Sequence, residues 1–322
     1  MTQTTSTLEA DEFNRQRALD RYRIVDSLPE SAYDDIVRVA AAVCDTPVAL
    51  VSLIDRDRQW FKAKIGIDDS QTPRNVAVCD TAIRTPDRLM EVNDLSKDAR
   101  FSEFPSVVGD FSARFYAGAP LVTPEGAPIG TVCVVDHEPR SLSEAQRTAL
   151  EALGRLTIAL LEGRGREREL EREAILQPVA IVPAAQAEPS RQPGYSIVIL
   201  EVQDHAGLVG RIGERATDRT LQQLDHEIEQ ALDRGRGDVA NRVTGSGEFI
   251  VVLQGDDTQA TEAKLRALAT RYAEIGVTLL LGAAAAQHSG EATQQVFMRA
   301  DEALSLRKDE VGQRYAVAET EA

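Results

Sequence analysis

Four prolines between residues 178 and 193 limit what this chain can fold into more than any other feature. Pro178, Pro183, Pro189 and Pro193 stand with Ala and Gln between them. Each lacks a backbone N–H and fixes φ, so no helix is expected to run through that spacing. The stretch reads as an extended, semi-flexible tether. It follows a charged run interrupted by Gly163 and Gly165, after which Leu170 and Ile175 continue a helical stripe. A rigid coiled coil there would transmit a rotation, whereas such a tether mainly sets reach and local concentration. The chain therefore divides in two, and each half needs its own core. With 322 residues, 43% of them hydrophobic, both halves are long enough to build one.

Charge narrows the range of partners. A formal net charge of -16 argues against non-specific nucleic-acid binding and against an anionic membrane surface. No apolar run approaches the roughly 20 residues of a spanning helix. Residues 1–11 are polar and acidic, without the basic and apolar regions of a signal peptide. Cys44, Cys79 and Cys133 show neither metal-type spacing nor a disulfide framework. A cytoplasmic location is expected.

In the first half, apolar positions from Phe13 to Leu28 recur at helical spacing, and Pro29 should stop that helix. Ser31 is placed to cap a second helix whose apolar face runs Tyr33, Ile36, Val37, Ala40, Ala41 and Cys44. Residues 47–55 form a continuous apolar run expected as a strand buried on both faces. Residues 59–65 return as a second strand, 77–84 suit a short helix, and 88–92 a strand. Residues 94–109 read as a loop with helical turns. Residues 114–121 and 129–136 flank Pro124-Glu125-Gly126 as a hairpin. From Ser143 a helix carries Leu150, Leu153, Leu156 and Leu160 on one stripe.

The blocks Val51-Ser52-Leu53-Ile54-Asp55, Asp57 to Lys62, Cys79 to Ile83, Phe115 to Leu121 and Gly130 to Asp136, in that order, resemble a GAF domain over about residues 10–163. The resemblance implies a sensory domain with a central antiparallel sheet, a ligand cavity on one face, and helices that often dimerise. It implies no particular ligand, because relatives bind cyclic nucleotides, tetrapyrroles, haem, small metabolites or nothing. Candidate pocket residues are Trp60, Cys79, Arg114 and Tyr116. Cys79 reads as a buried structural thiol ahead of a bilin attachment point or a redox-sensing thiol, since free cysteine is so often core. Trp60 and Tyr116 read as packing ahead of ligand stacking. Arg114 suits either an anionic ligand or a solvated edge.

In the second half, residues 195–202 form a strand ending in Glu201 and Val202. A helical segment follows over 216–232. Residues 239–243 and 249–253 are apolar runs joined by a Gly-rich turn, Gly245-Ser246-Gly247-Glu248-Phe249, which reads as a β-hairpin. A helix over 261–275, a strand over 276–283 and a helix over 291–308 complete the chain. Each half is thus expected as a central β-sheet flanked by helices, an α/β (α+β) class. The expected organisation is a disordered start (1–9), a sensor (10–163), a helical extension and Pro-rich linker (164–193), an output domain (194–318) and a tail (319–322).

The strand at 199–202, the turn at 245–249, Val277 to Ala284, and Arg299-Ala300-Asp301-Glu302-Ala303-Leu304 with Lys308 resemble a GGDEF domain, the output module of diguanylate cyclases. Active relatives condense two GTP into cyclic di-GMP, with one half-site on each subunit of a dimer. That chemistry needs carboxylates that hold a divalent ion, Mg²⁺ with GTP. Glu201 stands where the family usually has a metal-binding Asp, and Glu248 remains in the turn. The turn's third position, normally Asp or Glu, is Gly247. Between Asp238 and Glu248 there is one residue more than usual. Gln203-Asp204-His205-Ala206 and Val209-Gly210 replace the family's Asp-x-Phe-Lys and Asn-Asp, and of His-x-x-Gly-Asp only Asp218 is kept. Lys308 matches a phosphate-contacting lysine. Nucleotide-binding candidates are therefore Asp218, Gly245 and Lys308, and metal candidates Glu201 and Glu248.

Losing a metal ligand and a base-reading contact costs several kcal/mol in the steps that use them. The expected function is signal transduction by a homodimer. Its sensor takes a small molecule, and its degenerate output module binds GTP, cyclic di-GMP or a protein. The alternatives are an active diguanylate cyclase and a ligand-free dimerisation scaffold.

Overall fold

The computed structural model describes the backbone over residues 2–180 and 194–320 and the side chains over 11–177 and 194–311, with 256 and 289 outside both. Pro183, Pro189 and Pro193 of the expected tether lie outside the described residues. The chain divides into two compact units, Met1–Gly165 and Arg166–Ala322.

The first unit opens with α1 (Thr2–Arg21) and α2 (Ser31–Cys44). α1 includes the start expected to be disordered, which has no Pro or Gly to stop the ladder from extending outward from residues 12–21. It ends well before Leu28, and Arg23 and Asp26 turn the chain with φ of 47° and 61°. Ser31 is not the cap of α2; that position is Glu30, which makes no side-chain cap bond. The Glu30 carboxylate is instead held by Lys62 at 2.7 Å and by Arg164.

The strands follow: β1 (Val48–Ile54), β2 (Arg58–Ile65), β3 (Gln71–Pro73), then α3 (Val78–Ala82), β4 (Met90–Val92), α4 (Pro105–Val108), β5 (Phe115–Val122) and β6 (Pro128–Asp136). They form a six-stranded antiparallel sheet in the order β3-β2-β1-β6-β5-β4. All seven residues of β1 are buried, as its unbroken apolar run requires. α1, α2 and the start of α5 (Glu144–Ala180) cover one face, through Leu19, Val37, Leu150 and Leu161. α3, α4 and the intervening loops cover the other, through Cys79, Leu95, Phe101 and Val107.

α5 corrects two expectations. Leu156 and Leu160 are 55% and 37% exposed, whereas Thr157 and Leu161 are buried with Leu150 and Leu153. At 100° per residue, positions 150, 153, 157 and 161 stay within one stripe, and 156 swings about 120° away from 150. The helix also continues past Pro178 to Ala180. Proline falls in its last turn, where it removes few of the ladder's bonds.

The second unit holds β7 (Tyr195–Val202), α6 (His205–Ile212), α7 (Glu214–Ala231), β8 (Val239–Arg242), β9 (Glu248–Gln254), α8 (Gln259–Glu274), β10 (Leu279–Ala285) and α9 (Thr293–Thr320). Its four-stranded antiparallel sheet runs β10-β7-β9-β8. β10 is an edge strand and only half-buried along most of its length. α9 extends beyond Lys308 into the segment expected as a tail. Leu200, Phe249, Leu224 and Leu265 build the core on one face, with α7 and α8. Ile199, Ile250, Val296, Ala300 and Leu304 build the other, with α9 and Leu176 of α5.

Candidate functional site

Glu201 of β7 and Glu248 of β9 are direct cross-strand partners. Side chains on one face of a strand recur every second residue, so Glu201 follows Ile197 and Ile199, and Glu248 precedes Ile250 and Val252. Both carboxylates therefore end the apolar rows that α9 and Leu176 cover. The structure brings together the two metal candidates and Lys308. Val296, Ala300 and Leu304 recur every fourth residue in α9, and one turn further Lys308 donates to Glu201 Oε1 at 2.6 Å.

The other carboxylate is held by residues that the sequence reading did not single out. Arg172 Nη2 donates to both Glu248 oxygens, at 3.0 and 2.8 Å, and its guanidinium lies 5.5 Å from the Phe297 ring centroid. Arg168 Nη1 stands 3.9 Å from Glu248 Oε2. Glu248 is only 2% exposed, so this is a buried charge matched by the buried Arg168 and the half-buried Arg172. Arg168, Arg172 and Leu176 lie four residues apart on α5, a stripe that the charge-rich sequence does carry. What the sequence lacks is any sign of which carboxylate that stripe meets, 76 residues away.

The turn is closed upon itself. Gly245 takes φ +65°, which its lack of a Cβ allows. Ser246 N donates to Val243 O, Ser246 Oγ also donates to Val243 O, and Glu248 N donates to Ser246 Oγ. Thr244 N donates to Glu171 Oε1 of α5 at 2.7 Å. Three N–H groups that a phosphate could use are thus engaged. At Gly247 a Cβ would come within 2.9 Å of Val202 Cβ, so the position has no room for a side chain without a shift.

Asp218 is exposed on α7. It acts on His205, whose imidazole burial and the Arg242 charge hold below the usual range while Asp218 pulls it upward. Asp204 caps α6 by accepting from Gly207 N at 3.0 Å. Asp238 is buried in its own loop, accepting from Asp233 N and Gln254 N and pairing with Arg236. Among the described residues no group of three or more His, Cys, Asp or Glu side chains is arranged to hold a metal. Glu201 and Glu248 each face a cationic side chain, Lys308 and Arg172 respectively.

In the first unit the four pocket candidates do not share a pocket. Trp60 packs on the face with α2, whereas Cys79 and Tyr116 lie on the opposite face. Arg114 donates to Val107 O and Ala113 O, closing the loop beneath it. An open groove of about 540 Å³ runs beside β4, lined by Thr81, Thr85, Arg88, Glu91, Arg100 and Arg147 among others, and none of the four lines it.

Residues 28–159 match the model of the GAF domain, and residues 180–314 match that of the diguanylate cyclase, GGDEF domain. The chain thus carries a GAF domain followed by a GGDEF domain. It is 41% identical over 150 residues to a Pseudomonas aeruginosa protein named a cyclic di-GMP phosphodiesterase. That match takes in 46% of this chain and only 25% of the relative, so the chain spans a quarter of that protein's length. Among solved structures, the GAF domain of an Acinetobacter phosphoenolpyruvate-protein phosphotransferase is similar at 18% identity, covering 48% of this chain and 96% of that one with a TM-score of 0.35. The GGDEF domain of DgcB from Caulobacter crescentus, solved with cyclic di-GMP, is similar at 17% identity, covering 44% and 84% with a TM-score of 0.36. No described helix is long and apolar enough to cross a membrane.

Proposed function

We propose that this is a cyclic di-GMP signalling protein whose GAF domain senses and whose GGDEF domain acts by binding a nucleotide or a protein, without turning over GTP. The observation that carries this reading is the state of the turn. Its one remaining carboxylate, Glu248, is neutralised by Arg172, and its missing one, at Gly247, has no space to be replaced. Phosphoryl transfer would need those carboxylates open to a metal. A homodimer in the cytoplasm, with a small-molecule ligand on the GAF domain, completes the proposal.

The test is incubation of the purified chain with GTP and Mg²⁺ or Mn²⁺, assayed for cyclic di-GMP, together with calorimetric titration of GTP and of cyclic di-GMP. The expected result is no multiple turnover and measurable binding of one nucleotide. Sustained production of cyclic di-GMP would overturn the reading. Heat from neither nucleotide would leave protein binding as its only form, to be sought in the oligomeric state.

A further inference from the structure

On the sheet face covered by α3, one seam of the GAF core is polar. Ser52 of β1 is paired with Thr131 of β6, and Cys133 lies two residues on from Thr131 on the same face. Gly118 of β5 is paired with Cys133. A Cβ at Gly118 would come within 2.2 Å of the Tyr116 hydroxyl, so the glycine lets that ring lie along the sheet. Tyr116 OH donates to Cys79 Sγ at 3.3 Å, and Gln59 Nε2 donates to the same sulfur at 3.4 Å. Cys79 Sγ stands 3.7 Å from Cys133 Sγ. Ser52 Oγ and Thr131 Oγ1, both fully buried, have no hydrogen-bond partner among the described residues. Buried hydroxyls left over in this way are uncommon, and these two flank the cysteine pair.

We propose that Cys79 and Cys133 are a dithiol that hydrogen peroxide oxidises to an intramolecular disulfide. A pair serving only to fill the core would sit among hydrocarbon, whereas Tyr116 and Gln59 donate to this one and two further hydroxyls, of Ser52 and Thr131, line the same seam. Burial opposes the Cys79 thiolate, but hydrogen bonding at the sulfur, first from Cys133 and also from Tyr116, outweighs it and brings the thiol down to about 7. Cys133 is pushed the other way, chiefly by its hydrogen bond to Cys79 and then by burial, so the two sulfurs divide into attacking and resolving roles.

The Cys79 thiolate attacks one peroxide oxygen. An S–O bond forms, the O–O bond breaks, and the departing hydroxide takes a proton to leave as water. Cys133 then loses its proton and attacks the Cys79 sulfur. The S–S bond forms as the S–O bond breaks, and the second oxygen leaves as water. Two thiols and one peroxide become one disulfide and two waters. The sulfurs must close to about 2.05 Å. α3, a single short helix outside the sheet, is the element that would have to shift, since Cys133 sits on a strand paired on both sides. Peroxide is small enough to enter through local opening of that helix.

The test treats the full chain, under native conditions, with an equimolar amount of hydrogen peroxide. Remaining thiols are then blocked, and the intact mass and proteolytic peptides are read. The expected product has lost the mass of two hydrogen atoms and carries a reducible Cys79–Cys133 cross-link, with Cys44 still blocked as a thiol. Cys79→Ser and Cys133→Ser each abolish the cross-link, and Cys133→Ala gives the same answer should the serine variant fold poorly. Cross-linking only after unfolding in guanidinium, oxidation that stops on one sulfur, or a bridge between two chains would each overturn the proposal. The wild-type result decides without the variants.

Discussion

With Arg172 changed to Met, Glu248 would lose its bidentate partner and still have Arg168 3.9 Å away. Removing one partner of a buried pair leaves a charge without compensation and costs roughly 3–5 kcal/mol; with Arg168 still near, about 2–4 is expected. The double variant R172M/E248M should recover most of that loss, because two apolar side chains of similar volume remove the stranded charge. Denaturant midpoints of the wild type, both single variants and the double variant measure the coupling. Additive effects would show that the ion pair does not hold the turn. Lys308 was singled out by its match to a phosphate-contacting lysine of the GGDEF domain, and in the structure it continues the four-residue stripe of Val296, Ala300 and Leu304. Arg172 was not, because charge alternates densely through 164–173 and no local pattern marks which arginine finds a distant acid.

Along α5, leucines three residues apart have opposite fates. Leu153 is 7% exposed and Leu156 is 55% exposed. Leu153→Ala should cost about 2–5 kcal/mol through lost burial and the cavity left behind. Leu156→Glu should stay within about 0.5 kcal/mol in the monomer. Thermal melts of the two variants at one concentration distinguish them, and a comparable loss from both would mean that α5 presents another stripe to the sheet. Helical periodicity identified the element and its start. It did not decide between 156 and 157, because a stripe of leucines looks more apolar than one containing Thr157, which is nonetheless buried with its hydroxyl donating to Leu153 O at 2.8 Å.

Each unit has cores of its own, so unfolding of the whole molecule is expected in two steps. Trp60, the only tryptophan, is buried in the first unit and its fluorescence reports that unit, while far-UV dichroism reports both. Acid should separate them further. Burial opposes the Glu12 carboxylate, but hydrogen bonds and charge from Arg15 and Arg74 outweigh it and hold it at about 2, against 4.5 in the unfolded chain. A carboxylate with a depressed folded value stabilises fully above the unfolded value and loses that contribution as pH falls through the folded one. Glu12→Gln should therefore lower the tryptophan-reported midpoint at pH 6–7, and the gap from wild type should narrow as pH falls from about 4.5 toward 2. A gap independent of pH would show that the effect is not electrostatic. Because Glu12 is 42% exposed, solvent screening keeps the shift small.

By itself the sequence determined that the chain holds two mixed helix-and-strand units, and it located most of their elements. β1 is marked by an unbroken apolar run, the hairpin by glycines between β-branched residues, and Gly247 by the absence of any carboxylate. Tertiary structure alone decided how the site residues combine. Trp60 and Tyr116 lie on opposite faces of one sheet, and in strands buried on both sides the alternation that would reveal facing is gone. Cys79 and Cys133 meet across 54 residues, and Glu248 meets Arg172 across 76. Such contacts are set by how strands register and helices dock. That is a property of the packed core, and no local window of the sequence contains it.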